Sequence, residues 1–187
     1  MTTLPARRQG HGIKLSFYDF GATPFFACQY DQRFSYCLYV PADYDETAAK
    51  AYDLAVIVHG TGRTATQYRD LFADFAQRHD CIVLAPLFPV GIIEPGDLAN
   101  YKRIQFHDIR YDHVLLAMVD EVIAKYRVNG CRFLLYGYSG GGQFCQRFFM
   151  LHPERLQAVS IGAPGVVTLL HPDYDWWVGV RDVPARF

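Results

Sequence analysis

Three continuous apolar runs constrain the fold more than any other feature of this sequence. They cover residues 54–58, 81–85 and 133–136, and each has the length and composition of a strand buried on both faces of a sheet. Between them, residues at about 66–78 and 109–127 carry apolar side chains at helical spacing. Strands that alternate with helices predict an α/β fold with a doubly wound, mostly parallel sheet and right-handed crossovers.

The rest of the chain extends this pattern at both ends. Residues 1–14 are predicted to form an N-terminal arm, and residues 15–187 a single domain. After the third run, a helix to about residue 151 precedes a strand over residues 156–161, and we expect the sheet to end there. Three early segments also have strand-like composition between turn residues, namely 15–20, 23–29 and 34–40.

A glycine-rich turn follows the third apolar run and has the sequence Gly137-Tyr138-Ser139-Gly140-Gly141. The pattern G-x-S-x-G between a strand and a helix is typical of a nucleophile elbow, a strained turn that raises a serine hydroxyl above the sheet. Glycine at positions 137 and 141 avoids collisions inside so tight a turn. The glycine patterns of phosphate-binding loops, G-x-x-x-x-G-K-[ST] and G-x-G-x-x-G, are absent. We therefore predict that Ser139 is a catalytic nucleophile.

A second glycine-containing loop, His59-Gly60-Thr61-Gly62-Arg63, follows the first buried strand. An elbow serine requires an oxyanion hole, and one of its N–H donors comes from the loop after an earlier strand. We predict the N–H groups of Thr61 and Gly140 as the two donors, with Gly62 as the alternative to Thr61. An ordinary turn between a strand and a helix would also explain this loop, but two motifs in this order favour an active site.

These two motifs, together with Leu151-His152-Pro153-Glu154-Arg155, resemble those of the α/β-hydrolase superfamily, in particular esterases related to polyhydroxyalkanoate depolymerases and feruloyl esterases. The resemblance covers roughly residues 35–187. It implies a serine hydrolase that acts on carboxylic esters through an acyl-enzyme on Ser139. It also implies a histidine that shuttles the proton, an acidic residue that orients the histidine, and no metal or organic cofactor.

The sequence departs from this family after the elbow. The family order is serine, then acid, then histidine, with the last two on loops after further strands. Beyond Ser139 the only histidines are His152 and His171, and the three aspartates after residue 161 follow His171 instead of preceding it. We therefore expect this chain to be the N-terminal part of the fold, without the acid and the histidine of the family.

Aromatic residues near these motifs are the predicted substrate contacts. Tyr138 lies inside the elbow, and Trp176 and Trp177 belong to an aromatic segment that begins at Tyr174. Aromatic side chains commonly line the apolar walls of small-molecule sites. We assign Tyr138, Trp176 and Trp177 to substrate binding.

Charge, apolar runs and cysteine usage argue against several other classes of function. A formal net charge of −1 without a basic stripe argues against nucleic acid as a partner. No apolar run approaches the about 20 residues of a membrane span, and no secretory signal is recognisable. His107 and His113 would lie on different faces of a helix, which argues against a metal site. The five cysteines form no C-x-x-C pair, which favours a reducing cytoplasm, with a mature secreted chain that has lost its leader as the alternative.

Three functions remain open from the sequence. The first is a serine esterase with a small-molecule ester as its substrate. The second is an incomplete or non-catalytic α/β-hydrolase remnant that binds or requires a C-terminal partner, and the third is acyl transfer to an acceptor other than water. An apolar edge strand over residues 156–161 would promote self-association, so we expect a homo-oligomer or a complementary C-terminal chain.

Overall fold

The computed structural model describes residues 15–187, and the predicted arm, residues 1–14, lies outside the described residues. The strands are β1 Gly21–Ala22, β2 Phe26–Ala27, β3 Ser35–Val40, β4 Asp53–Val58, β5 Cys81–Leu87, β6 Gln105–Phe106, β7 Ile109–Arg110, β8 Phe133–Tyr138 and β9 Leu156–Gly162. The helices are α1 Ala65–Leu71, α2 Ala73–Arg78, α3 Tyr111–Lys125, α4 Gly140–Leu151 and α5 Val183–Arg186. Short 3-10 helices cover Phe17–Asp19, Asn100–Arg103 and Pro153–Arg155.

The central sheet has the strand order β1-β3-β5-β4-β8-β9, and β2 also pairs with β3. Strands β4, β5, β8 and β9 are parallel to one another, whereas β3 runs antiparallel to β5. Parallel strands require a crossover connection, and a helix connects each of these four strands to the next. The prediction of a mostly parallel sheet is confirmed, and within residues 15–187 β9 is its last strand.

Helices cover both faces of this sheet, as the doubly wound prediction requires. Alternate residues of β4 point to opposite faces. Val56 packs in the large core that α3 and α4 complete with residues such as Met118 and Phe144. Ile57 packs in a smaller cluster with Phe72 and Phe75, next to α1 and α2.

The strand predicted over residues 15–20 is wrong, because residues Phe17–Asp19 form a 3-10 helix. The Asp19 carboxylate accepts hydrogen bonds from the Ser16 N–H at 2.7 Å and the Ser16 hydroxyl at 2.8 Å. Lys125 of α3 also forms an ion pair with Asp19. These contacts hold the chain in a turn where an extended strand was expected.

Both predicted helices before the elbow are shorter than their apolar spacing indicated. The first is interrupted at Phe72, whose N–H donates to the carbonyl of Arg69, so that α1 and α2 form two pieces. The second begins only at Tyr111, because the two residues before it pair with β6 as β7. The helix after the elbow, α4, ends at Leu151 as predicted.

Candidate active site

Ser139 connects β8 directly to α4 in a conformation that side-chain-bearing residues rarely adopt. Its φ is +57° and its ψ is −118°, a backbone state that costs about 1–3 kcal/mol and persists only where the surroundings impose it. The surroundings do so here. The Ser139 N–H donates to the carbonyl of Gly162 in β9 at 2.9 Å, and the Ser139 carbonyl accepts from the Gln143 N–H at 3.1 Å. The serine side chain is exposed at the carboxyl end of the sheet.

The glycines around Ser139 allow α4 to lie directly against the strands. A Cβ on Gly137 would overlap the backbone of Gly141 and approach the Cys145 sulfur to 2.6 Å. A Cβ on Gly141 would overlap the carbonyl of Val58 and lie 2.8 Å from the carbonyl oxygen of His59. Both obstacles include backbone atoms, which cannot rotate away as a side chain could. Glycine at these two positions is therefore required by close approach, which agrees with the elbow pattern.

The two predicted oxyanion donors come together beside the serine. A Cβ on Gly140 would lie 2.9 Å from the Thr61 Oγ1, so the loop after β4 touches the first turn of α4. A Cβ on Gly60 would lie 3.8 Å from the Cβ of Ser139. Within residues 15–187 the N–H of Thr61 donates no hydrogen bond. The N–H of Gly140, at the first position of α4, has no partner within the helix.

The buried ring of His59 supports the loop that carries Thr61. Its Nε2 accepts a hydrogen bond from the Phe88 N–H at 3.1 Å, so its Nδ1 carries the hydrogen and donates to the Gly60 carbonyl at 2.8 Å. Tyr101 donates its hydroxyl to the His59 carbonyl at 3.0 Å. Burial lowers the pKa of His59 to about 4, with a smaller contribution from the Arg63 charge. The ring is therefore neutral at pH 7, with both nitrogens engaged.

Arg63 is a second support of this loop, and no motif in the sequence marks it. The residue itself has a φ of +57°, and its guanidinium stacks on the ring of Tyr101 at 4.9 Å. Hydrogen bonds run from this guanidinium to the carbonyl oxygens of Thr61 at 2.7 Å, Leu98 at 3.0 Å and Phe88 at 3.2 Å, and to the Asn100 Oδ1 at 3.1 Å. The available signal was its position, since an arginine directly after two loop glycines can reach many carbonyl groups.

The three predicted substrate residues lie in different environments. Tyr138 precedes Ser139 and is 50% exposed. Trp177 is half-buried, with the guanidinium of Arg147 5.2 Å and that of Arg103 5.6 Å from its ring centroid. Trp176 is 7% exposed and belongs to the core, where its indole N–H donates to the Arg103 carbonyl at 2.7 Å. Tyr138 and Trp177 are therefore accessible to a ligand, whereas Trp176 is largely closed to one.

No histidine of residues 15–187 forms a hydrogen bond with Ser139, and the exposed His79 only packs its ring against Phe75. His107 contacts Glu94 at 2.5 Å, and His171 accepts from the Asp173 N–H at 3.2 Å. His113 is exposed and lies 3.9 Å from Asp112. The ring of His59 is engaged as described above.

His152 and His171 each contact groups other than Ser139. His152 follows the twelve residues of α4, about 20 Å from Ser139 along the helix axis, and contacts the buried Asp112 at 2.8 Å. The segment after β9 runs along α4, because Thr168 forms hydrogen bonds with Gln146. His171 follows Thr168 in this segment, and its ring contacts Asp173 and Tyr174. The structure thus brings Ser139, Gly140 and the Thr61 loop together, and no histidine of residues 15–187 forms a hydrogen bond with Ser139.

A small cavity next to the elbow was also absent from the sequence analysis. Its volume is about 120 Å³. It is lined by Ala99, Lys102, Arg103, Gln143, Arg147 and Trp177. The three cations come from two segments that are distant in sequence, which explains why no local motif marked them.

Neither a metal centre nor a membrane-spanning element is found in the part of the chain that the structure describes. No three histidine, cysteine or carboxylate side chains of residues 15–187 are grouped as metal ligands. No helix among the same residues combines the length and the apolar character needed to cross a bilayer.

Comparisons with known proteins show that many solved structures resemble this chain in fold. No protein-family model matches the sequence, and no curated protein matches it. Solved structures do match. A poly(3-hydroxybutyrate) depolymerase from Bordetella parapertussis superposes with a TM-score of 0.67 at 24% identity, over 79% of this chain and 52% of its own. Poly(aspartic acid) hydrolase-1 from Sphingomonas sp. KT-1 gives 0.73 at 22% identity, over 87% and 63%.

A fluorophosphonate-binding serine hydrolase from Staphylococcus aureus gives a TM-score of 0.58 at 17% identity, over 76% of this chain and 55% of its own. This chain therefore spans between about half and two thirds of the length of these three proteins. At sequence identities this low, the structural similarity establishes a shared fold and nothing about activity. Together with the sheet order and the strand-turn-helix at Ser139, it shows that the chain has the α/β-hydrolase fold.

Proposed function

We propose that this protein is a serine hydrolase that cleaves carboxylic esters through an acyl-enzyme on Ser139. The observation that carries the proposal is the strained, exposed Ser139 next to Gly140 and the Thr61 loop, whose two N–H groups donate no hydrogen bond within residues 15–187. Such donors are most valuable where negative charge develops during acyl transfer. The structural neighbours are hydrolases by name, which supports the same reaction class.

The proposed reaction has two steps. In the first, the Ser139 oxygen attacks the ester carbonyl while its proton passes to a base, and the resulting oxyanion accepts hydrogen bonds from Thr61 and Gly140. The carbon–oxygen bond to the alcohol then breaks, and the alcohol leaves with that proton. In the second step, water attacks the acyl-enzyme, gives a proton to the base, and releases the carboxylic acid and free Ser139.

We propose that the base is a histidine contributed from outside the described residues or by a partner chain. The support is that no histidine of residues 15–187 forms a hydrogen bond with Ser139, and that His152 lies about 20 Å away along α4. The rival interpretation is a non-catalytic remnant that kept the elbow as a binding surface. The same absence of a neighbouring histidine favours that rival, so the two must be separated by experiment.

Labelling with a fluorophosphonate tests the proposal, because this reagent reacts readily only with an activated serine. We expect one adduct per chain in intact mass spectra of the folded wild-type protein. Ser139→Ala should remove the adduct, and Ser160→Ala, which changes an exposed serine of β9, should not. An unlabelled but folded wild-type protein would support the non-catalytic remnant. An adduct that survives in Ser139→Ala would contradict the assignment of the nucleophile.

We also propose a reducing compartment such as the cytoplasm. All five cysteines are free thiols, and four of them are buried in the core. Burial raises the pKa of the Cys37 thiol to about 11 and that of Cys81 to about 12, which keeps both thiols protonated and unreactive. These thiols act as small apolar side chains.

A further inference from the structure

The cavity beside the elbow lies close enough to Ser139 to receive part of its substrate. Gln143, which lines the cavity, is one helical turn after Ser139, a rise of about 5–6 Å. Lys102, on the opposite wall, has its Cε only 2.9 Å from where a Cβ on Gly140 would lie. The lining therefore includes a direct neighbour of a proposed oxyanion donor.

The charges that line this cavity are all positive. Lys102, Arg103 and Arg147 contribute three cations, and within residues 15–187 none of them forms a salt bridge. Burial, together with neighbouring arginines, lowers the pKa of Lys102. Asp97 acts in the opposite direction on Lys102, but its carboxylate already accepts the Ala99 N–H at 3.1 Å. The cations of this cavity thus repel one another without a dedicated counter-ion in the described chain.

Arg147 provides an independent sign of a missing ligand. The residue is fully buried, which is rare for arginine unless it is paired. Its Nε donates to the Thr168 hydroxyl at 2.8 Å, and its Nη1 donates to the Lys102 carbonyl. Its Nη2 is buried and has no hydrogen-bond partner among the described residues. Burial, with the nearby charge of Arg103, lowers the pKa of Arg147 to about 10, so it remains a cation at pH 7.

We propose that this cavity binds the carboxylate of an anionic ester, whose scissile carbonyl lies at Ser139. The proposal rests on the hydrolase function proposed above. Arg147, Arg103 and Lys102 donate charge-assisted hydrogen bonds to the carboxylate oxygens, and the Gln143 amide completes the wall. Trp177, which lies under both guanidinium groups, provides the apolar side of the cavity.

The size of the cavity restricts the ligand. A water molecule occupies about 30 Å³ of liquid, so 120 Å³ holds a carboxylate with one or two methylene groups and excludes a bulky anion. The distance of about one helical turn from Ser139 to Gln143 corresponds to a linker of about three to five carbons. The substrate class is therefore a half-ester of a short dicarboxylic acid, or a polymer unit with a carboxylate at that spacing.

A matched ester pair tests this specificity in turnover. The probes are p-nitrophenyl hydrogen adipate, which has a free carboxylate, and methyl p-nitrophenyl adipate, in which the carboxylate is masked. We expect kcat/KM to be about 100-fold higher for the free carboxylate, since a polar site strongly disfavours the analogue that leaves it unpaired. Lys102→Met and Arg103→Gln should each reduce that ratio about 10-fold. Arg132→Gln, an exposed arginine at the amino end of β8, should preserve it.

A binding measurement separates this inference from the hydrolase proposal. Calorimetry on the Ser139→Ala protein compares monomethyl adipate with dimethyl adipate, and repeats the titration with Arg103→Gln added. Binding of the monomethyl ester alone, weakened about 10-fold by Arg103→Gln, supports the carboxylate site even if fluorophosphonate labelling fails. Equal affinity for both esters overturns it even if labelling succeeds. Tighter binding of inorganic phosphate than of monomethyl adipate would overturn the assignment to a carboxylate.

Discussion

The carboxyl end of β8 and the outer face of its neighbour β9 differ in how completely they are covered. At the carboxyl end, α4 lies so close that a single methyl group on Gly141 would overlap the carbonyl of Val58. On β9, Ala158 and Ser160 are exposed, and an apolar groove of about 380 Å³ opens between that strand, β8 and α2. Ser139 is thus held by packing within the described chain, whereas the strand beside it, β9, is left uncovered on one side.

This difference distinguishes the parts of the site that the described chain forms by itself from the parts that it does not form. The elbow and the loop after β4 need only local backbone geometry and the contacts of two central strands. Under the proposed function, the base lies outside the described residues, and the neighbouring structures are longer than this chain. We propose that a partner of the described domain, either a second copy or a complementary chain, covers the apolar groove.

The largest expected effect is at the elbow. Gly141→Ala places a methyl group against backbone atoms of Val58 and His59, and overpacking of this kind costs about 3 kcal/mol or more. Urea denaturation should show that loss, or no folded protein at all. Gly62→Ala is the matched control, because its nearest neighbour would be a Thr64 methyl at 3.9 Å. Equal stability of the two variants would contradict the tight packing described for the elbow.

Acid should lower the free energy of unfolding of this protein, because it protonates His59 beside the elbow. Its pKa is about 4 in the folded protein and 6.5 in its ordinary state, so the unfolded chain binds a proton first as the pH falls. The free energy of unfolding should therefore drop by about 2–3 kcal/mol between pH 7 and pH 4.5, and the loss is complete about one pH unit below the folded-state pKa, near pH 3. Phe88, Tyr101 and Arg63 face the ring, and the Arg63 charge acts in the same direction as burial.

The control for this pH effect is His59→Gln, followed by urea denaturation at each pH. The variant can be less stable at every pH, but its stability should fall less steeply over that interval. An unchanged slope would place the acid sensitivity elsewhere. Hydrogen bonds from His152 and Arg110 lower the pKa of Asp112 to about 2 despite its burial. Asp112 therefore changes the pH dependence of stability only below about pH 4. Its stabilisation is lost as the pH falls from 3.8 towards 2.

Arg63 should matter for reactivity more than for stability. Arg63→Lys cannot reproduce the fork that reaches three carbonyl groups and Asn100. The Thr61 N–H would then be misplaced, and we expect the rate of fluorophosphonate labelling to fall about 10- to 100-fold. Arg78→Lys, in a helix distant from the elbow in sequence, serves as the control. A labelling rate equal to that of the wild type would show that the loop is held without Arg63.

The sequence predicts the features of the fold that depend only on a short stretch of residues. The apolar run of residues 54–58 predicts a buried strand because both faces are covered, and the glycines at 137 and 141 predict the sharp turn at Ser139. These features depend on periodicity and backbone sterics, which are local properties.

The parts that could not be predicted depend on contacts between distant residues. The turn at Asp19 depends on Lys125, 106 positions later. The burial of Trp176 depends on the Arg103 carbonyl, 73 positions earlier. The cationic cavity combines Lys102 with Arg147, which no window of the sequence contains. Long-range partners of this kind decide which polar groups are satisfied, and they are visible only in the fold.

The smallest expected effect concerns the uncovered side of β9. Because an apolar edge strand next to an open groove favours pairing with another chain, we expect reversible self-association at tens of micromolar, measured by light scattering. Ala158→Lys places a charge in the groove and should raise the dissociation constant about 10-fold, or about 1.4 kcal/mol. Ala124→Lys, which adds the same charge at an exposed position of α3, should leave self-association unchanged. A wild-type protein that stays monomeric at these concentrations would mean that the groove requires no cover, and the contrast between the elbow and β9 would then be one of packing alone.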